Sequence, residues 1–80
     1  MWSNVFSAAQ FGQLIARARR ERGLTQQQFA DALAVNRETL SKLENGRVVS
    51  SALVFSAASW LGLRLIVAPK TADVRVVEHE

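Results

Sequence analysis

The residues best suited to specific chemistry are six polar residues in one short segment. They are Asn36, Arg37, Glu38, Thr39, Ser41 and Lys42. An arginine fork can bind guanine O6 and N7, a glutamate can accept from cytosine N4, an asparagine can pair with adenine, and a threonine methyl can touch thymine. The first turn of a helix in the major groove points its side chains at base edges. The segment therefore predicts a helix that binds the bases of double-stranded DNA.

Four further residues are placed to hold the phosphate backbone of a duplex. They are Thr25, Gln26, Asn45 and Arg47. Polar side chains and N–H groups near helix starts are common phosphate ligands, and such contacts position a protein on DNA without reading its sequence. Arg19 or Arg22 could add to these contacts.

Several of these residues also have a purely structural interpretation. Asn36 is a favoured helix cap, and Glu38 suits the positive end of a helix dipole. The arginines of residues 17–22 suit a solvated helix end, where cations match the dipole. Glu44 is expected to brace the helix pair through a hydrogen bond or salt bridge to a basic residue.

The composition argues against an enzyme or a metalloprotein. Cysteine is absent and the single histidine is His79, so neither a thiolate site nor a histidine cluster is available. We therefore expect no catalytic residues, no metal and no cofactor. The net charge of +3 arises in the first half, where residues 1–49 hold seven of the ten basic residues against four acids. That half is expected to meet an anionic partner.

Four helices are predicted to position these residues. The first runs from about Ala8 to Arg22, with Ser7 and Gln10 as a capping-box pattern and Gly23 as its stop. The next three begin at favoured caps and end at the turn after Leu33 or at glycines. Their caps are Thr25, Asn36 and Ser50 or Ser51, and the glycine stops are Gly46 and Gly62. The residues predicted to face inward from the fourth helix are Val54, Phe55, Ala58 and Leu61.

After Gly62 the pattern becomes that of a strand. Residues 63–68 are rich in β-formers, and Pro69 closes the run. The backbone groups of a strand need a partner strand. Val74–Val77 is the internal candidate, which would form a hairpin, and the equivalent strand of a second chain is the other. We favour the second chain, because an isolated two-stranded hairpin is only marginally stable.

The size of the chain also favours a homodimer. It has 80 residues, 49% of them apolar, and no disulfide to support a small core. Two recognition helices about 34 Å apart are needed to read a palindromic operator specifically. The predicted dimer interface consists of Val54, Phe55, Trp60, Leu61, Leu63, Leu65, Ile66 and Val67.

The sequence predicts a cytoplasmic protein without membrane contact. The uncharged, apolar stretch of residues 48–63 is shorter than the roughly 20 residues needed to span a bilayer. The first residues lack the basic segment and long apolar region of a secretory signal.

Two stretches of the chain together form a motif that resembles a known family. Leu-Thr-Gln-Gln-Gln-Phe-Ala at residues 24–30 and Val-Asn-Arg-Glu-Thr-Leu-Ser-Lys-Leu-Glu-Asn-Gly at residues 35–46 resemble the helix-turn-helix core of phage-repressor-like (Xre) proteins. The flanking helices extend the resemblance from about Phe11 to Leu61. It implies a mainly α, four- to five-helix, lambda-repressor-like helix-turn-helix domain. The family turn usually has glycine where this chain has Ala34, and alanine at positive φ would cost about 1 kcal/mol.

A strand directly after the fourth helix is similar to HipB-type antitoxins. That resemblance implies a C-terminal strand pairing across a homodimer, a HipA-like kinase toxin as partner, and repression of the protein's own operon. The domain organisation expected is a DNA-binding domain over residues 1–62, a dimerisation strand over 63–69, and a tail or second strand over 70–80.

Three classes of function remain open from the sequence. The leading one is a dimeric, sequence-specific DNA-binding repressor that is also an antitoxin. The second is a stand-alone Xre-type transcriptional regulator with no toxin partner. The third is a protein-interaction adaptor whose helix-turn-helix no longer binds DNA.

Overall fold

The described part of the chain contains four helices and three short strands. The structure is a computed structural model that describes residues 2–5, 7–67 and 74–78, with side chains described for residues 7–65. In chain order the elements are β1 (Trp2–Val5), α1 (Ala8–Glu21), α2 (Gln26–Ala32), α3 (Arg37–Glu44), α4 (Ser51–Trp60), β2 (Leu63–Val67) and β3 (Val74–Glu78). The predicted mainly α, helix-turn-helix fold is confirmed. The parts of the expected terminal strand and tail at residues 68–73 and 79–80 lie outside the described residues.

Each helix begins at a polar cap that the sequence predicts. The side-chain oxygens of the four caps accept the backbone N–H three residues later, at 2.8–3.2 Å. These caps are Ser7, Thr25, Asn36 and Ser50. At Thr25 the backbone N–H also donates to Gln28 Oε1 at 2.9 Å, which completes a capping box. The caps satisfy N–H groups that a helix start leaves without a partner.

Residues with positive φ follow the helices and turn the chain away from each of them. Gly23, Gly46 and Gly62 have φ values of 70°, 75° and 72°. In the turn between α2 and α3 the residue is Ala34, with a φ of 58°. Glycine adopts this region without penalty, whereas the Cβ of alanine crowds the backbone. The turn of the helix-turn-helix therefore holds a strained residue.

Ala34→Gly should raise the free energy of unfolding by about 1 kcal/mol, because it removes that strain. Denaturant titration followed by circular dichroism measures the change. Ala32→Gly is the matched control, since Ala32 is exposed and lies in α2. There glycine should lower stability by about 0.5–1 kcal/mol. Equal losses in both variants would contradict the strain at Ala34.

The three strands form one antiparallel sheet with the order β1-β3-β2. Along β2 the pairing runs from Leu63 opposite Glu78 to Val67 opposite Val74. On its other side β3 pairs with β1, where Trp2 lies opposite Val77. The sheet therefore joins segments from both ends of the sequence.

This sheet gives residues 63–67 a partner strand within the chain, the alternative that the sequence ranked second. The structure pairs β2 with β3 of the same chain, as the internal hairpin alternative describes. A hairpin of two strands alone is only marginally stable, but β1 supplies a third strand. The strand β1 is only four residues long, and its apolar and polar residues do not alternate clearly. It could therefore not be recognised as a strand from the sequence. Because β2 is at one side of the described sheet, its second edge remains without a strand partner there.

The core lies between the helices and is closed by the start of β2. Its largest fully buried side chains are Phe29, Ile15, Leu40 and Leu61. Leu63 is also buried, so the first residue of β2 belongs to this core. Burial of such side chains stabilises a fold by about 1.5–3 kcal/mol each relative to exposure. The core thus fixes α2 and α3, which carry the candidate site, against α1 and α4.

Phe55 corrects the predicted inner face of α4. The residue is 61% exposed, while Leu53, Ala57 and Ala58 are buried. Phe55 lies two residues from both Leu53 and Ala57, which places it about 200° around the helix from each of them. Ala58 and Leu61 are buried as predicted, and Val54 is half-buried.

A close helix crossing at Gly12 holds α1 against the end of α3. A Cβ built on Gly12 would lie 2.5 Å from the backbone oxygen of Leu43 and still closer to that of Glu44. Only a hydrogen fits at this point, so the helices approach at backbone distance. Gly12 was not predicted from the sequence as a packing residue. A glycine inside a helical pattern was the available signal, because its propensity cost of about 1 kcal/mol implies a packing reason.

Candidate nucleic-acid interface

One surface depression collects most of the predicted DNA-binding residues. It has a volume of about 330 Å³ and runs along α3 into the loop that follows. Its lining residues are Arg37, Glu38, Ser41, Lys42, Asn45 and Arg47. Four of these were predicted to contact bases and two to contact phosphates. The structure therefore brings six of the ten candidates together along one helix and the loop that follows it.

The charge of this depression is positive. Arg37, Lys42 and Arg47 are exposed cations on it, and Glu38 is its only anion among the lining residues. Exposed cations beside one another attract a polyanion and remain available to bind it. Glu38 lies in the first turn of α3, where a carboxylate also suits the helix dipole.

Asn36 and Thr39 bind each other instead of lining the depression. Asn36 Oδ1 accepts from the backbone N–H of Thr39 at 2.8 Å and from its hydroxyl at 2.7 Å. The cap function of Asn36 predicted from the sequence is therefore confirmed. What remains for DNA is the Asn36 amide nitrogen and the methyl group of Thr39.

Asn45, a predicted phosphate ligand, makes hydrogen bonds back to the last turns of α3. Its Nδ2 donates to the backbone oxygen of Ser41 at 2.8 Å and lies 3.2 Å from Ser41 Oγ. A phosphate oxygen only accepts hydrogen bonds, and the amide nitrogen of Asn45 already donates to Ser41. Arg47 keeps its exposed guanidinium and is the better phosphate ligand in this loop.

Thr25 and Gln26, at the start of α2, retain donors that face no partner within the described residues. Thr25 Oγ1 accepts from the N–H of Gln28 at 3.1 Å, which leaves its hydroxyl hydrogen free to donate. One N–H of Gln26 Nε2 donates to Glu44 Oε1 at 2.9 Å, and the second N–H remains. Both residues can therefore still bind a phosphate oxygen.

A buried ion pair fixes the helices that carry the interface. Arg19 Nε lies 2.7 Å from Glu44 Oε2, and Arg19 Nη2 lies 3.2 Å from Glu44 Oε1. The two side chains are only 10% and 5% exposed. Arg19 Nη1 also donates to the backbone oxygen of Leu24 at 2.8 Å. The predicted bracing role of Glu44 is confirmed, and its basic partner is Arg19 on α1.

Arg19 and Arg22, the two further candidates for phosphate contacts, both bind groups of their own chain. Arg19 is buried against Glu44, so its guanidinium cannot reach DNA. The guanidinium of Arg22 donates to the backbone oxygens of Leu61 and Ala18, which ties the end of α1 to the end of α4. Both arginines hold helices together. Their spacing in the sequence did not show this, because the carbonyl and carboxylate partners are brought near only by the fold.

Other kinds of site find little support in the described residues. Among them, no group of three or more histidine, cysteine or acidic residues is arranged to hold a metal ion. The same residues include no helix of sufficient length and apolar character to cross a bilayer.

Two short helices joined by a tight turn, with polar and cationic residues exposed along the second, define a DNA-binding helix-turn-helix domain. A family model described as a helix-turn-helix domain matches residues 10–64, and this chain belongs to that family. The matched range covers α1 from its third residue, all of α2, α3 and α4, and the first two residues of β2. The comparison with curated proteins found no match. The family match therefore places this protein in the class of DNA-binding regulators.

Proposed function

We propose that this protein is a dimeric, sequence-specific transcriptional repressor that reads a palindromic operator with α3. The observation that carries the proposal is the depression along α3, where base-reading and cationic side chains are exposed together. Arg37 and Glu38 lie in the first turn of that helix, the part that meets base edges in the major groove. Lys42 and Arg47 add cations toward its end.

The same depression supports a division of roles between these side chains. Arg37 can bind guanine bidentately, and Glu38 can accept from cytosine N4, so both discriminate between bases. Ser41 and Lys42 lie one turn later and extend the reading. Arg47, Thr25 and Gln26 supply contacts to the phosphates, which set affinity and orientation. Asn36, Thr39 and Asn45 chiefly hold the shape of α3 through their internal hydrogen bonds.

The energetics of DNA binding support the proposed dimer. A domain with one recognition helix makes few contacts, and its affinity for DNA falls steeply as salt rises. Two copies place two α3 helices on successive turns of one face of the duplex, about 34 Å apart. The number of contacts with DNA then doubles. The second recognition helix also binds at a high effective concentration, because the dimer tethers it to the first.

We assign the dimer surface to the open edge of β2 and the exposed apolar residues beside it. Phe55 and Trp60 are 61% and 46% exposed, and both line one depression on α4. Phe55 also lines a second depression that continues to Leu65 on β2. An antiparallel β2 pair between two chains is self-complementary, as a twofold axis requires. It would join the two three-stranded sheets into one.

Burial within one chain reduces the set of residues expected at the dimer interface. Leu61 and Leu63 are 1% and 6% exposed within one chain, so they support the core and cannot contact a second copy. Val54 is half-buried and packs against that core. The side chains of Ile66 and Val67 lie outside the described residues. The proposed dimer surface therefore consists of Phe55, Trp60, Leu65 and the β2 backbone.

The proposed organisation is a DNA-binding unit over residues 1–62 and a sheet-based dimerisation element from residue 63 onward. One boundary is less simple than the sequence suggests, because β1 belongs to the sheet while α1 belongs to the DNA-binding unit. The dimerisation element thus includes residues from both ends of the chain.

We further propose an antitoxin role, with autoregulation of the operon and a HipA-like kinase toxin as partner. Its support is the resemblance to HipB-type antitoxins, in which a strand follows the fourth helix as β2 follows α4. Co-expression with the product of the neighbouring gene tests it. A stoichiometric complex with a kinase-like protein supports the role. Operator binding without such a complex indicates a stand-alone regulator, and the absence of any duplex binding indicates an adaptor.

Arg37→Ala should weaken operator binding by about 1–3 kcal/mol and relax specificity at one base pair. The operator is first obtained by selection from a random duplex library, and affinities are measured by fluorescence anisotropy at fixed salt. Arg20→Ala is the matched control, because Arg20 is an exposed arginine of α1 outside the depression. It should leave the base preference unchanged. Wild-type affinity and specificity in Arg37→Ala would refute α3 as the recognition helix.

Phe55→Glu should convert the protein from dimer to monomer without unfolding it, since Phe55 is largely exposed. Two buried charges at a twofold contact repel each other and lose hydration, so association should weaken at least about a hundredfold. Sedimentation velocity without DNA measures the change. Val48→Glu is the control, because Val48 is an apolar residue, 96% exposed, outside both depressions. A stable Phe55→Glu dimer would remove Phe55 from the interface.

A further inference from the structure

We propose that Glu44 is a positioning residue for DNA binding, which orients the Gln26 amide so that one N–H donates to a phosphate oxygen. This inference rests on the proposed function, because it names how a contact within that interface is set. Glu44 itself is buried and does not touch DNA.

The geometry behind the proposal is a single shared oxygen. Glu44 Oε1 accepts from Gln26 Nε2 at 2.9 Å and from Arg19 Nη2 at 3.2 Å. The other oxygen, Oε2, accepts from Arg19 Nε at 2.7 Å. The carboxylate is therefore held rigidly by the arginine fork, and the amide of Gln26 binds to a fixed acceptor. Three elements meet at this group, since Arg19 lies on α1, Gln26 begins α2 and Glu44 ends α3.

The carboxylate also decides which end of the Gln26 amide faces inward. A carboxylate only accepts hydrogen bonds, so the NH₂ group must point to Glu44 and the amide oxygen must point away. One N–H of Nε2 is used in that bond. The second N–H diverges from it by about 120°, as the planar geometry of an amide requires. Gln26 is half-exposed, and the second N–H makes no hydrogen bond within the described residues. The second N–H is therefore a hydrogen-bond donor with a fixed direction.

The charge balance of the cluster makes this arrangement compatible with DNA. An unpaired carboxylate beside a phosphate site would repel the ligand. Arg19 neutralises Glu44 through two contacts, and both side chains are about nine-tenths buried or more. The pair therefore orients the amide without adding net charge to the surface. An arginine that contacted the phosphate directly would bind it more tightly, because it would release a counterion. The neutral amide releases none and instead fixes the direction of one hydrogen bond.

The test is a double-mutant cycle in the full chain with the selected operator duplex. Arg19→Met/Glu44→Leu removes the ion pair, keeps the net charge and leaves apolar side chains of similar length, a replacement that buried pairs often tolerate. It is combined with Gln26→Ala to complete the cycle. Gln26→Ala alone should weaken operator binding about tenfold, the value of a hydrogen bond to a charged group. Its salt dependence should match that of the wild type, because no charge is removed.

The proposal requires that Gln26 lose its effect once the ion pair is gone. The Arg19→Met/Glu44→Leu protein should melt within a few degrees of the wild type and yet bind about tenfold more weakly. Adding Gln26→Ala to it should cause no further loss. A folded pair variant with wild-type affinity, or a Gln26→Ala effect equal in both backgrounds, would overturn the proposal. Wild-type protein that binds no duplex would instead contradict the proposed function itself.

A second measurement uses the unaltered protein and does not depend on how the variants fold. The side-chain NH₂ of Gln26 gives two proton resonances in ¹⁵N-labelled protein. On titration with the operator, one should move by a large shift as it meets a phosphate, while the carboxylate-bound proton stays nearly fixed. Two unchanged resonances at saturation would overturn the proposal, as would two that both move as Gln26 leaves Glu44.

Discussion

Glu44→Ala should lower the free energy of unfolding by about 3–5 kcal/mol, the usual cost of leaving one partner of a buried ion pair alone. Arg19 would keep its charge at a site where its side chain is 10% exposed, with only the backbone oxygen of Leu24 still bound. For a domain of this size, total stability is typically about 5–15 kcal/mol. The variant should therefore be partly unfolded at moderate temperature, as thermal melting by circular dichroism would show.

The matched comparison is Glu21→Ala, which removes a carboxylate paired to arginine at the surface. Glu21 lies 3.4 Å from Arg17, and the two side chains are 60% and 51% exposed. Exposed pairs of this kind contribute about 0–1 kcal/mol, because water and salt screen them. A loss in Glu44→Ala no larger than that in Glu21→Ala would show that the buried pair does not support the fold.

The second large effect is expected at the crossing of α1 and α3. Gly12→Val should destabilise the domain by about 3–4 kcal/mol, because backbone oxygens at the crossing cannot move aside as a side chain would. Valine has a better helix propensity than glycine by less than about 1 kcal/mol, so the steric term decides the sign. Gly12→Ala should fall between valine and the wild type, as denaturant titration would measure.

Gln13→Val controls for the change of residue type on the same helix. Gln13 is the next residue along α1 and is exposed, so valine there has room. Its effect should stay within about 0.5 kcal/mol. Gly12→Val should also weaken the operator affinity of whatever protein remains folded, since α3 must shift to admit the side chain. A Gly12→Val protein as stable as Gln13→Val would contradict the close crossing.

The helices could be predicted from sequence because their boundary signals are local. Ser7, Thr25 and Asn36 cap helices through bonds to residues three positions away, and each lies where the pattern predicts it. The cost at Ala34 came from the family resemblance, since the family turn usually has glycine there, and the structure gives the residue a φ of 58°. In each case, the interacting groups are close in sequence.

The sheet and part of the site could not be predicted because their contacts are distant in sequence. The partner of β1 is more than 60 residues away, and four residues such as Trp2–Val5 do not specify pairing alone. Phe55 was assigned inward by its apolar character, which does not reveal the side of α4 that the core covers. The predicted site at Arg37, Glu38 and Lys42 rested on helical spacing, and those side chains do converge.

The hydrogen bonds that site residues make within the chain also could not be predicted from the sequence alone. Gln26 and Asn45 were both predicted phosphate ligands, and their residue types give no means to separate them. The amide nitrogen of Asn45 donates to Ser41, whereas Gln26 keeps one donor beyond its bond to Glu44. An amide can satisfy itself within a helix or across helices, and only the folded arrangement decides which occurs.

The pairing of β1 with β3 has a consequence for how the chain folds during synthesis. Trp2 meets Val77, so every residue of all four helices must be made before the two strands can join. Closing so long a loop is entropically costly and slow unless the intervening chain has already collapsed. The helices begin at local caps and can form as they leave the ribosome. The backbone of β1 therefore remains unpaired and hydrated until β3 has been synthesised.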